Sequence, residues 1–320
     1  MRRFVSSLIL AGFGMACLAF SSAGVAAPAG GAWQRPSAGQ APPAQNSQAI
    51  QQQSAPGQPQ GSQAQTAPGQ AKGTQGPPTG PQVTPEEAKA AQAIESELDP
   101  NKVIQLAQDF EKKYPTSPYL TDVYFFVANA YQQKNQISQA IDYGRKSLKA
   151  HPDNIRSLIM LTGLLPQPQD MQGSDQDKEA RLKETEADAS QALELIQKLP
   201  KPPSQTDDQF QKLKANVIAQ IHSSLGMVHL QRATMALAGV DQGELAKAEA
   251  EYKQSVSEPQ PSPQDYYRLG EVYRMESKLD EAIDAFTKAG QLGQGSGIDQ
   301  LAQKQVDTLK AAKAKPAASH

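Results

Sequence analysis

One cysteine, one tryptophan and four histidines among 320 residues leave little reactive chemistry to build with. A single cysteine excludes an internal disulfide framework. No HExxH motif occurs, and no glycine loop followed by Lys-Ser/Thr, which removes zinc-peptidase and P-loop chemistry; Gly290 to Gly297 is glycine-rich but lacks that ending. Ser223-Ser224 lacks the strand-turn-helix setting of a nucleophile elbow. The formal net charge is only −2 and evenly mixed, with no basic stripe, so nucleic acid is not an expected partner. Acid pairs such as Asp207-Asp208 and Glu249/Glu251 read as solvated helix faces. His222 and His229 lie on one side of a helix with no carboxylate or cysteine at ligand spacing, so ring filling is expected there and no metal. The chain is expected to be no enzyme and to carry no cofactor.

What is present begins with a leader. Met1-Arg2-Arg3 supplies positive charge, Phe4 to Phe20 is apolar, and Val25-Ala26-Ala27 precedes Pro28. This order is that of a secretory signal peptide over 1–27, cleaved after Ala27, and the protein is expected to be exported, periplasmic or extracellular. Lipid anchoring at Cys17 is not expected, because Gly14 stands where lipoprotein signals carry Leu and the apolar run continues past the cysteine. From 28 to 84 the composition turns to Gln, Pro, Gly, Ala and Ser with almost no charge. Such a segment has too little apolar surface to offset the entropy of ordering, so a disordered tether is expected.

From Pro85 the periodicity is helical. Thr84 followed by Pro85 and Glu87 reads as a helix start, and Pro100 to Tyr114 as a second helix. Between 266 and 289, large and small residues alternate at fixed places: Tyr266, Leu269, Gly270, Tyr273, Ala282, Phe286 and Ala289. Glycine and alanine let two helices approach closely; the rings fill the space beside them. A second set is Tyr124, Val127, Ala128, Tyr131, Ala140 and Pro152, with Gly144 in the aromatic place and Ser147 in the last alanine place. Tyr143 is expected to lean into the gap at Gly144. A third set is His222, Leu225, Gly226, His229, Ala248, Tyr252 and Ser255, interrupted by a loop about ten residues longer. Leu158, Leu161, Thr162, Ala189, Leu193 and Ile196 form a degraded unit, split by a long loop from Pro166 to Asp177. Asp207 to Ala233 reads as one long helix. Asp299 to Lys313 reads as a closing helix, with Leu301, Val306 and Leu309 inward.

These spacings resemble the tetratricopeptide repeat, whose bulky, Leu, Gly, Tyr, Ala, aromatic and Ala positions are 4, 7, 8, 11, 20, 24 and 27. The join Tyr114-Pro115-Thr116-Ser117-Pro118-Tyr119 resembles exported repeat proteins that assemble bacterial envelopes. The resemblance implies an all-α solenoid of antiparallel helix hairpins over 85–313, ending in a capping helix, with a disordered tail at 314–320. It also implies a non-enzymatic scaffold that binds a protein or peptide partner in a concave groove. Repeat positions 2, 5, 9 and 12 face that groove. They are Asp122, Phe125, Asn129 and Gln132; Gln220, Ser223, Met227 and Leu230; and Gln264, Tyr267, Glu271 and Arg274. Phe125 stands where chaperone-binding relatives carry their first carboxylate-gripping lysine, so that clamp is not expected. Polar helix faces throughout argue against membrane insertion of the mature chain. The alternative is a self-associating structural element linked to the cell wall through the Pro/Gln-rich segment.

Overall fold

The computed structural model describes residues 83–168, 172–236 and 239–314. The expected leader, the expected tether as far as residue 82 and the expected tail from 315 lie outside the described residues. Within them there are eleven helices and no strand: α1 (Pro85–Ser96), α2 (Pro100–Lys113), α3 (Leu120–Gln133), α4 (Ile137–Ala150), α5 (Ile155–Leu164), α6 (Asp175–Lys198), α7 (Asp207–Met235), α8 (Gln242–Ser257), α9 (Pro263–Met275), α10 (Leu279–Leu292) and α11 (Ile298–Ala314). Side-chain oxygens start many of them. Thr84 accepts the Glu87 amide at 3.1 Å, and Ser174 and Thr206 each form a reciprocal capping box.

Each helix packs on its chain neighbour, and odd helices also touch odd helices: α1 with α3, α5 with α7, α9 with α11. The α3–α4 and α9–α10 connections are built alike. Asn135 and Ser277 both take left-handed backbone, at φ 56° and 62°. The following amides, of Gln136 and Lys278, reach back to the carbonyls of Tyr131 and Tyr273 at 2.9 and 2.8 Å.

The ring-on-glycine packing repeats as the spacing requires. A Cβ at Gly270 would stand 2.9 Å from the Phe286 ring, and one at Gly226 would stand 2.9 Å from the Tyr252 ring. Both rings are fully buried. Gly144 departs from the expectation. Tyr143 packs with Tyr131 and Tyr124, at 5.4 and 6.1 Å between centroids. Leu161 from α5 fills the space, its Cδ2 2.9 Å from where a Cβ would be.

Two further readings are corrected. The insertion in the third unit is mostly helix, since α7 continues to Met235 and α8 already begins at Gln242, about a turn extra on each. On α11, Leu301 is 52% exposed, and Ala302, Val306 and Leu309 form the inward stripe. Spacings of four and three keep those residues on one face; Leu301 falls off it.

Units are joined by buried polar groups. Ser147 Oγ donates to the Thr121 carbonyl at 2.7 Å and accepts from Asn154 and Ser157 at 3.1 and 2.8 Å. At the later junction, Asp265 accepts from Ser223 and Ser255, each at 2.5 Å. Both serines at repeat position 27 thus bond to position 3 of the next unit. On α7, Arg232 is gripped by Glu179 and Glu186 of α6, with contacts from 2.5 to 3.1 Å.

Asp188 on α6 is less well served. Its Oδ2 is buried without a hydrogen-bond partner. Burial pushes its carboxyl up to about 7, Glu184 adds to the rise, and Arg145 partly opposes it. A carboxyl raised in the folded state stabilises as pH falls below about 7 and destabilises above it. Asp188→Asn is therefore expected to raise stability at pH 8 by about 1 kcal/mol, after discounting for partial exposure. The gain should shrink toward zero near pH 4. Thermal melts of both proteins at the two pH values check this; an equal difference at both would contradict it.

Candidate functional site

Four of the twelve expected groove positions converge on one cavity. Met227 and Leu230 reach it from α7, and Glu271 and Arg274 from α9. Its volume is about 210 Å³. These are positions 9 and 12 of two successive units. Met275 completes the apolar wall and Pro168 closes one side. The Gln231 side chain, also in the lining, donates to the Pro166 carbonyl at 3.4 Å, which draws the long loop onto α7. The loop therefore shapes this stretch.

The cavity's charges are unequal. Met227 is buried and Arg274 exposed. Burial raises the Glu271 carboxyl above its usual range, and Arg274 and Arg268 only partly offset this. Glu271 has no hydrogen bond or ion pair among the described residues.

The remaining groove positions have other surroundings. Phe125 lies edge-on to Phe126 at 5.7 Å, and the guanidinium of Arg156 covers both rings at 4.6 and 5.2 Å. Arg156 also pairs with Asp122. Asn129 accepts from Gln133 at 3.1 Å, and Gln132 is half-buried beside it on α3. None of these lines the cavity. Ser223 is committed to Asp265. Tyr267 packs edge-on to Phe286 at 5.1 Å, and its hydroxyl accepts from Gln305 of α11 at 3.3 Å. Sequence reasoning missed Arg156, although the signal was available: carried onto α5, repeat position 2 is Arg156.

His222 and His229 are half-buried and each meets a carboxylate. His222 Nδ1 lies 2.7 Å from Glu251, and His229 Nδ1 lies 2.7 Å from Glu244. This corrects the expectation of simple ring filling. The two pairs run in opposite order along α7 and α8, which fixes the antiparallel register. No group of three or more His, Cys, Asp or Glu is arranged for a metal among the described residues. No described helix is long and apolar enough to cross a membrane.

Among the described residues, helix hairpins that interlock rings with glycines, and whose first helices share a cavity, have the architecture of a helical-repeat protein. Residues 121–154, α3 and α4, match the tetratricopeptide repeat family. No curated protein matches the sequence. Among solved structures, a thermophilic TPR protein of Thermus thermophilus, TTC0263, is similar at 16% identity, covering 69% of this chain and 98% of that one, with a TM-score of 0.41. Acl4, an assembly chaperone of RpL4, is similar at 11% identity over 72% and 91%, with a TM-score of 0.48. The MamA protein is similar at 20% identity over 64% and 100%, with a TM-score of 0.32. The repeat identification rests on the matched segment and on the packing at Gly226 and Gly270.

Proposed function

We propose that this protein is an exported, non-enzymatic scaffold that captures another protein of the bacterial cell envelope on the face formed by α7 and α9. The observation that carries the reading is the cavity itself: groove positions from two successive repeats meet there, with a carboxylate that has no ion pair among the described residues. Tetratricopeptide repeats generally mediate protein–protein contact, and rigid preformed helices lose little entropy on binding. The leader carries the export part of the proposal, and the segment from 28 onward serves as the tether.

The test uses surface changes that spare the packing. Thr234→Glu and Arg274→Glu together, both at exposed positions of the cavity lining, are expected to weaken capture of the partner at least tenfold while circular dichroism stays unchanged. Capture at wild-type strength would place the binding surface elsewhere. Mass spectrometry of the exported product should find Pro28 as its first residue; a product that keeps residues 1–27 would overturn the processing step.

A further inference from the structure

The cavity between α7 and α9 has a chemistry that selects one kind of side chain. Its walls are thioether and aliphatic: Met227, Leu230 and Met275. Methionine is flexible and polarizable, and it suits a surface that must close around an incoming chain. Two polar groups of the lining are already used. Thr234 Oγ1 donates to the carbonyls of Leu230 and Gln231 at 3.1 and 2.9 Å, and Gln231 donates to Pro166. What remains with unspent capacity is Glu271, an acceptor without a donor, and Arg274, which is exposed.

These two charges are not equivalent. Arg274 keeps its hydration, so it exerts little selection on what enters. Glu271 is half-buried with no hydrogen bond or ion pair among the described residues, so burial disfavours its charge until a cation meets it. A group that enters must therefore bring an apolar stem for the methionine walls and a positive end for the carboxylate. Long basic side chains lay their methylenes along apolar surface and keep the charge at the tip. Of the two natural candidates, the ammonium is compact and makes a point contact, which suits a cavity of about 210 Å³ better than the wider planar guanidinium.

We propose that this cavity receives a lysine side chain of the captured protein, its stem against Met227, Leu230 and Met275 and its ammonium on Glu271. The proposal rests on the α7–α9 binding face and deepens it. It also gives a partner to an acid that has no hydrogen bond or ion pair among the described residues. Occupation by the ammonium lowers the Glu271 carboxyl from its raised position, so binding weakens as the acid is protonated.

The test needs no partner. In the full protein carrying ¹³C-labelled methionine methyl groups, n-pentylammonium is titrated in as a mimic of the lysine side chain. The Met227 and Met275 methyl signals are expected to shift saturably. Pentan-1-ol should bind at least tenfold more weakly, and Glu271→Gln should bring the ammonium down to the level of the alcohol. Equal binding of alcohol and ammonium would reduce the cavity to an apolar pocket and overturn the proposal. Stronger binding of pentanoate would assign the selection to Arg274 and overturn it too, as would signals that none of the three compounds moves. Should the wild-type protein capture a partner that Glu271→Gln binds equally well, the lysine receptor fails and the binding face stands. Should no partner be captured at all, the binding face fails, and the ammonium titration still decides the chemistry of the cavity.

Discussion

Gly270→Ala lowers stability by about 1–3 kcal/mol, although alanine is the better helix former. The added methyl would stand 2.9 Å from ring atoms of Phe286. That ring cannot step aside: it is fully buried, and Tyr267 packs against it from α9. Interiors packed to native density answer such an insertion with backbone shifts. Gly226→Ala, against the Tyr252 ring, is expected to behave in the same way. Gly163 on α5 provides the opposite case, because a Cβ there would meet nothing within 4 Å. Gly163→Ala should therefore raise stability by about 0.5–1 kcal/mol through reduced backbone entropy. Pairing Gly270→Ala with Phe286→Leu should cost less than the sum of the two single changes, since the shorter side chain vacates the contact. Urea denaturation of the five variants, the four single changes and the double, measures all of this. A neutral or stabilising Gly270→Ala would mean that the two helices do not approach as described.

Asp265→Ala is the second large effect, with an expected loss of about 2–3 kcal/mol. Asp265 is 5% exposed and accepts from Ser223 of α7 and Ser255 of α8. Removing the carboxylate leaves two hydroxyls without an acceptor at a junction of three helices. Burial raises the Asp265 carboxyl, while Ser223, Ser255 and Arg268 pull it back. The raised group is better tolerated when protonated, so the wild-type junction should strengthen as pH falls toward the acid range. Asp265→Asn keeps one acceptor oxygen and should lose only about 1 kcal/mol. Equal losses for the alanine and asparagine variants would show that shape, not hydrogen bonding, holds the junction.

How far the sequence could be read depended on whether a contact was local to one repeat. Gly270 with Phe286, and Gly226 with Tyr252, belong to single units and were visible as spacing. Leu161 filling the gap at Gly144 was not, because the residue comes from the following unit, where the pattern is degraded. The His222–Glu251 and His229–Glu244 pairs depend on the register between two lengthened helices, and no spacing rule supplies that. Serines 147 and 255 were visible only as small residues in an alanine place; their hydroxyls gained a role from the unit that follows. The cavity lay between these extremes. Met227, Leu230, Glu271 and Arg274 were marked by repeat position, but Pro168 comes from a loop outside the repeat. Ser223 and Tyr267 carried the same mark and are held by Asp265 and Phe286 within the protein.

The central claim is that the α7–α9 face receives a partner. The direct measurement is photo-crosslinking in cells, with a photoreactive residue placed at Leu230, at Arg274 or at exposed Asp284 on α10. The account predicts a discrete adduct with one protein from Leu230 and Arg274 and none from Asp284. Adducts from Asp284 alone would contradict it.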